Sequence, residues 1–264
     1  MFLYFGYGSN INLVSLRAKG VNPVASERAI LRGWRLLFNV QHWFRHEGGV
    51  GNIEPSPNPD DFVEGIVHTC NDVDLAPLDA VESYGLGYDR IMVEVETGKG
   101  LVRAATYVGL PGFLDETCLP TRRYLNIIIN GAEDSNLSRE YIERLRRHPI
   151  QLDKDYPDFT PPSGDWPQFN KKTLALNPQF TALGGAVFDM QHARKKLQGI
   201  ISLLGGKDMT LFFVKRHDAS NGKETLDDIK NGRILEGVKR YINAYLNEYS
   251  KEYKYVGRYD HSED

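Results

Sequence analysis

Two short stretches hold most of the residues able to do chemistry. The first, Tyr7, Gly8, Ser9 and Asn10, follows directly on the apolar run Phe2 to Phe5. Glycine, serine and asparagine end a strand rather than extend it, and the turn they make can aim backbone N–H groups at a ligand. The second is Leu78, Asp79, Ala80, Val81, Glu82, Ser83, Tyr84 and Gly85. On a short helix Leu78 and Val81 would pack inward, with the Glu82 carboxylate at the edge of the apolar surface. Partial burial there favours the protonated form and makes Glu82 a candidate proton shuttle. Each stretch also has an ordinary reading: a Gly-Ser-Asn turn simply reverses a chain, and a helical glutamate is commonly solvated.

Other chemistries find little support. There is no phosphate-cradling glycine loop, no HExxH, no CxxC and no GxSxG, and the seven histidines are scattered without ligand spacing. No metal site is expected. The net charge of −3 supplies no basic field for nucleic acid. No apolar run reaches membrane-spanning length, and MFLYF is too short for a signal-peptide core, so no membrane partner is expected. The two cysteines, Cys70 and Cys118, have neither metal-ligand spacing nor the density of a disulfide scaffold, so the cytoplasm is the expected compartment.

The elements that must position these residues are readable in outline. Strands are expected at Phe2–Phe5, Arg32–Val40, Asp61–His68, Arg90–Val95 and Val102–Val108, with Ile91, Val93 and Val95 sharing one face. The period then changes to helical. Thr121 caps a helix that Gly131 should close, and Ser138 caps a second, with Leu137 and Ile142 spaced as a hydrophobic staple. Residues 153–168 contain four prolines and no periodicity, and read as a linker between domains at 1–152 and 169–264.

Tyr4 to Asn10, Gly48-Gly49, Val63 to His68, Leu78 to Glu82 and the strand carrying Tyr107, in that order, resemble the gamma-glutamylcyclotransferase family. The helix pair from Thr121 to His148 follows the family order too, so the resemblance covers roughly residues 1–150. It implies an α+β fold, a small mixed β-barrel with flanking helices. It further implies that Glu82 is the catalytic acid/base, that Tyr7, Gly8, Ser9 and Asn10 cradle the glutamyl end of the substrate, and that Tyr107 contacts it. Tyr88 lies near another family tyrosine. The loop reads YGSN where the glutathione-degrading relatives read YGSL, which points away from glutathione.

The implied reaction suits these residue types. The α-amine of a gamma-glutamyl group attacks its own γ-carbonyl, giving 5-oxoproline and a free amine, so an enzyme gains chiefly by holding the attack geometry. An α-ammonium near ~8 and a free glutamate near ~4.3 are mismatched by about 5 kcal/mol, a gap that partial burial of the carboxyl narrows. No cofactor is needed; the partner is a small gamma-glutamyl amide or amine.

The second expected domain, 169–264, resembles the cytochrome b5-like, steroid-receptor-associated haem-binding fold. The resemblance rests on Thr181 to Met190 read as one strand, on Gly205 to Leu211, and on a long amphipathic helix before Tyr253 to Tyr259. The family's haem-ligating tyrosine segment is replaced by Gln191 to Gly206, in which His192 is the one candidate ligand. Ile200, Ile201, Leu203 and Leu204 suggest packing or a hydrophobic ligand. The competing function is therefore a non-catalytic protein that binds haem or a hydrophobic ligand through this domain. A third possibility is a related acyl transfer on the same cradle.

Overall fold

The computed structural model describes residues 1–261, so the last three residues of the expected 169–264 domain lie outside the described residues. The chain divides after Asp153 into two compact units.

In the first unit, β1 (Phe2–Gly6), β2 (Ala25–Arg32), β5 (Phe62–Cys70), β6 (Tyr88–Thr97) and β7 (Gly100–Gly109) form a closed barrel in the order β1-β5-β2-β6-β7. Closure comes from a parallel contact between β1 and β7 at Tyr4 and Ala105, and the remaining pairs are antiparallel. Strands β3 (Trp34–Gln41) and β4 (Gly49–Pro55) form a separate hairpin sheet. Phe5, Ala29, Leu31, Val63, Val67, Val93, Val95 and Ala104 make one buried cluster. All five barrel strands contribute to it, so this cluster is the barrel interior, and period-two alternation sends their neighbours outward.

Tyr4 and Tyr107 are among those neighbours. They are covered by Leu16 of α1 (Leu13–Ala18) and Leu78 of α2 (Leu75–Val81). A third cluster joins Ile11 and Ile66 to α3 (Arg122–Asp134) and α4 (Arg139–Arg146), through Leu125, Ile128, Ile129, Ile142 and Leu145. The caps lie where the sequence puts them: Thr121 accepts from the Tyr124 N–H and Ser138 from the Tyr141 N–H, both at 3.2 Å. Leu137 and Ile142 of the staple are both buried.

Gly131 does not close α3, which runs on to Asp134. Its role is close approach. A Cβ there would lie 2.5 Å from the Asn12 nitrogen and 2.6 Å from its Cα, so α3 rests directly on the chain that follows β1.

The second unit holds a five-stranded sheet in the order β11-β9-β10-β12-β8. Its strands are β8 (Gln168–Phe169), β9 (Phe180–Leu183), β10 (Ala186–Asp189), β11 (Lys207–Asp208) and β12 (Lys254–Tyr259). The single strand expected over 181–190 is a hairpin. Gly184 and Gly185, with φ of 55° and 82°, turn the chain in two residues and pair Leu183 with Ala186. The helices are α5 (Lys171–Ala175), α6 (Lys195–Gln198), α7 (Ile201–Leu204), α8 (Thr210–Lys215), α9 (Leu226–Lys230) and α10 (Glu236–Glu252). α10 buries Val238, Ile242, Tyr245, Leu246 and Tyr249. The proline-rich residues 154–167 form no helix or strand, and they are tied to α10: Asn243 Oδ1 accepts from the Phe159 N–H at 2.8 Å, and Tyr156 donates to Glu248 at 2.9 Å. No helix among the described residues is long and apolar enough to cross a membrane.

Gly131→Ala should destabilise the first unit by about 1–3 kcal/mol, because the added methyl meets backbone that cannot step aside. Gly98→Ala, where a Cβ would meet nothing within 4 Å, should change stability by no more than about 0.5 kcal/mol. Urea unfolding of the two variants beside wild type checks the pair; equal effects would show that α3 does not rest on the loop.

Candidate functional site

After β1 the chain turns through Tyr7 and Gly8 into a 3-10 turn, Ser9–Ile11, and then into α1, which Asn12 caps by accepting from the Ser15 N–H at 3.0 Å. The turn is buried from below by α3, so its conformation is set by packing as well as by its own sequence. Asn10 is its best-connected residue. Its amide nitrogen donates to the Tyr4 hydroxyl at 2.5 Å and to Glu82 Oε1 at 2.8 Å, its amide oxygen accepts from Lys19 Nζ, and its backbone carbonyl lies 2.9 Å from His68 Nε2.

Glu82 ends α2 and points back at this turn because of the residue that follows it. Ser83 has φ of 53°, a left-handed conformation, and its carbonyl accepts from the N–H groups of Leu86 at 3.0 Å and Gly87 at 2.9 Å. The helix ends through the Ser83 N–H to the Ala80 carbonyl at 3.2 Å and the Tyr84 N–H to the Asp79 carbonyl at 2.9 Å, a Schellman cap with serine in place of the usual glycine. The Glu82 side chain is 15% exposed and lies 3.6 Å from the ammonium of Lys19, which is 5% exposed. Lys19 also donates to Ser9 Oγ at 3.1 Å.

Phenols surround this carboxylate. Burial, and after it the charge of Glu82, raises the pKa of Tyr4 and Tyr7 well above the ordinary phenol value. Burial is likewise the first cause at Tyr88, Tyr107 and Tyr124, with the Glu82 charge acting on each in the same direction. All five therefore stay protonated at neutral pH. Tyr7 donates to the Tyr107 carbonyl at 2.6 Å, Tyr88 donates to the Gly51 carbonyl at 2.7 Å, and the Tyr124 hydroxyl accepts from the Gly51 N–H at 3.0 Å.

Gly8 and Gly51 face one another across this floor. A Cβ on Gly51 would lie 3.6 Å from Gly8 Cα and 3.2 Å from the Tyr124 oxygen, and one on Gly8 would lie 3.1 Å from that same oxygen. Two bare backbones, several fixed hydroxyls and one partly exposed carboxylate can grip a small polar group and exchange protons with it.

His68 is fully buried, and desolvation lowers its pKa to about 4. It is neutral, so Nε2 carries the proton that the Asn10 carbonyl accepts, and Nδ1 accepts from Ser26 Oγ at 2.8 Å. Among the described residues no three His, Cys, Asp or Glu side chains are grouped to hold a metal ion.

Of the residues singled out in the sequence, Tyr7, Gly8, Ser9, Asn10 and Glu82 come together. Tyr107 adjoins them on β7, but its hydroxyl donates to Asp79 Oδ1 at 2.6 Å, and Asp79 is in turn paired with Arg90 at 2.6 Å. Sequence reasoning missed Lys19, Tyr4, His68, Gly51 and Tyr124. Lys19 gave no signal, because α1, the short helix that returns it to the turn, was itself not read from the sequence.

The AIG2-like family matches residues 62–145. Gamma-glutamylcyclotransferase of Homo sapiens is 33% identical over 154 residues, 55% of this chain and 77% of that protein. The Mus musculus protein of the same name is 31% identical over 149 residues, with the same shares. A crystal structure of an uncharacterized Homo sapiens protein, 29% identical, superposes with a TM-score of 0.50 over 59% of this chain and 92% of that one. The relatives and the small closed barrel define the class. The chain belongs to the gamma-glutamylcyclotransferase family and is an enzyme of that type.

Buried neutral His68 makes stability depend on pH. Its native pKa lies below the unfolded value of 6.5, so as pH falls from 6.5 to about 4 the unfolded chain binds a proton that the native state refuses. Stability present above that window should drop by about 3 kcal/mol across it from this residue alone. His68→Gln, which keeps a donor for the Asn10 carbonyl, should flatten the slope. Superimposable pH dependences in urea unfolding would show that His68 is not held neutral.

Proposed function

We propose that the first unit cyclises the gamma-glutamyl group of a small gamma-glutamyl amide or amine to 5-oxoproline, releasing the free amine. The observation that carries this reading is the 2.8 Å hydrogen bond from Asn10 to Glu82, which makes the proposed cradle and the proposed acid/base one continuous site.

The substrate's glutamyl end sits against the Tyr7–Asn10 turn and Gly51, where the bare backbones of Gly8 and Gly51 pack closely on the Tyr124 hydroxyl to form the floor. Glu82 accepts a proton from the α-ammonium, and the freed amine attacks the γ-carbonyl carbon. Backbone N–H groups of the turn stabilise the oxyanion that forms. Protonated Glu82 then donates to the departing nitrogen, the original amide C–N bond breaks, and the attacking nitrogen gives up its second surplus proton to the released amine, which departs as an ammonium and leaves the neutral five-membered lactam. One carboxyl thus serves as base and acid in turn, and its protonation state is restored at the end of each cycle. Tyr107 acts through Asp79 in this scheme, shaping the wall behind the helix end.

The leaving amine would emerge toward the loop between β3 and β4. Trp43 on that loop meets Phe113 edge to face, ring centroids 4.7 Å apart, and lies 3.6 Å from where a Cβ of Gly87 would stand, close to Ser83. These rings favour a leaving group with apolar surface.

For the second unit we propose the cytochrome b5-like arrangement that its sequence resembles, without haem binding. His192 is exposed, while Ile200 and Leu204 are buried, as core residues are.

Glu82→Gln keeps an acceptor for Asn10, so it should still fold, with some loss of stability from the buried Lys19 charge left unmatched, and should bind substrate while losing about 100-fold or more in kcat. Release of 5-oxoproline from a panel of gamma-glutamyl amino acids and gamma-glutamyl amines, wild type beside variant, checks this. Near-normal turnover by the variant would remove Glu82 from the role, and no release by wild type would remove the reaction.

A further inference from the structure

Lys19 is the one buried lysine among the described residues. An ammonium taken out of water is costly unless each of its N–H donors is satisfied and its charge is matched. Here two hydrogen-bond acceptors, Ser9 Oγ and Asn10 Oδ1, converge on it, and Glu82 Oε1 lies at ion-pair distance, 3.6 Å. Two of these belong to the turn and the third is the carboxylate. Lys19 is therefore bound to both halves of the site at once.

We propose that Lys19 is a positioning residue that keeps Glu82 ionised and aimed at the turn, so that the resting enzyme holds a base ready for the substrate's α-ammonium. The role rests on the cyclisation reading for its catalytic meaning, but the charge coupling itself does not.

The groups facing Glu82 leave Lys19 as its counter-charge. Tyr4 from β1, Tyr7 from the turn, Tyr88 from β6, Tyr107 from β7 and Tyr124 from α3 are neutral phenols. His68 from β5 is neutral and reaches the Asn10 carbonyl, not the carboxylate. Asp79, one turn earlier on α2, is matched by Arg90. Lys19 is thus the cation within ion-pair distance of Glu82 among the described residues. An uncompensated carboxylate among buried phenols and low-dielectric walls would take up a proton. It could then still donate to a leaving amine, but it could not start the reaction as a base.

The position also explains a division of labour. Asn10 bonds to both Lys19 and Glu82, so its amide is oriented with the oxygen toward the cation and the nitrogen toward the anion. Reversing that amide would set donor against ammonium and acceptor against carboxylate. The ion pair therefore fixes the orientation of the side chain at the tip of the proposed cradle.

The test follows the Glu82 carboxyl directly, by 13C NMR of glutamate-labelled protein, with the resonance assigned by its loss in Glu82→Gln. Removing a cation beside a carboxylate favours the protonated form, so in Lys19→Met the titration midpoint should rise by about one to three pH units. Lys19→Gln keeps donors for Ser9 and Asn10 without the charge and should show the same rise, which guards against a Met variant that does not fold. Lys19→Arg should keep the midpoint near that of wild type. A midpoint unmoved in both neutral variants overturns the role of Lys19.

The acidic limb of kcat/KM for 5-oxoproline release should move with the midpoint in the neutral variants and stay in place in Lys19→Arg. A purely structural role would lower activity at every pH without moving the limb, and that result overturns the proposal. A moved midpoint in an enzyme that releases no 5-oxoproline would instead refute the cyclisation reading while leaving the Lys19–Glu82 coupling standing.

Discussion

The first unit is organised around the side chain of Asn10. Through its amide and its carbonyl it touches Tyr4 of β1, His68 of β5, Lys19 beyond α1 and Glu82 at the end of α2. It is buried, so each of these polar atoms would be costly without its partner. Four elements far apart in the chain are consequently held to one another by one residue. The barrel supplies the condition for this: β1 lies between β5 and β7, which brings the end of β1 beside His68 and beside the strand carrying Tyr107.

Around that hub the site is unusually rich in phenol. Five tyrosines lie where the Glu82 charge is felt, and their hydroxyls are largely committed to backbone carbonyls or to Asp79. Such groups give shape and dipoles without adding competing titrations near neutral pH. They also exclude water from the inner side of the carboxylate while leaving its outer edge partly open. A fixed, mostly dry environment strengthens every remaining electrostatic contact, and that is the condition under which one ion pair can govern protonation.

Much of this was legible in the sequence, and the gaps have physical causes. The strand carrying Val93 and Val95 announced itself through alternation, the one carrying Phe5 as a short apolar run before a turn, and the helix starts through Thr121 and Ser138. β2 was not readable, because Ser26, Glu27 and Arg28 are polar and only Ala29 and Leu31 face the interior. β4 was hidden by its glycines, which serve close approach: a Cβ on Gly49 would lie 1.9 Å from the Phe38 carbonyl oxygen. Gly131 misled for the same reason. A glycine near a helix end suggests termination, but here the next chain segment passes too close for any side chain. The strand expected at 181–190 failed at Gly184-Gly185, where the alternation on either side continued through a turn. In the site, Tyr7 to Asn10 and Glu82 were visible as motif residues. Lys19, His68 and Gly51 were not, since their importance comes from what lies opposite them in space.

The small number of residues in the site follows from the reaction it is proposed to perform. An intramolecular attack needs no second substrate to be recruited and no activated nucleophile to be built; the amine is already tethered to its target. What remains is to take protons from that amine, shelter one oxyanion and return them to the departing nitrogen. A carboxylate does the first and last of these only if it begins ionised and is not held so firmly ionised that it cannot be protonated midway. Glu82 stands between neutral phenols on one side and the Lys19 ammonium, 3.6 Å away, on the other, with its outer edge partly open; a single carboxyl in that place can be reached both by the amine that gives up a proton and by the nitrogen that takes it back.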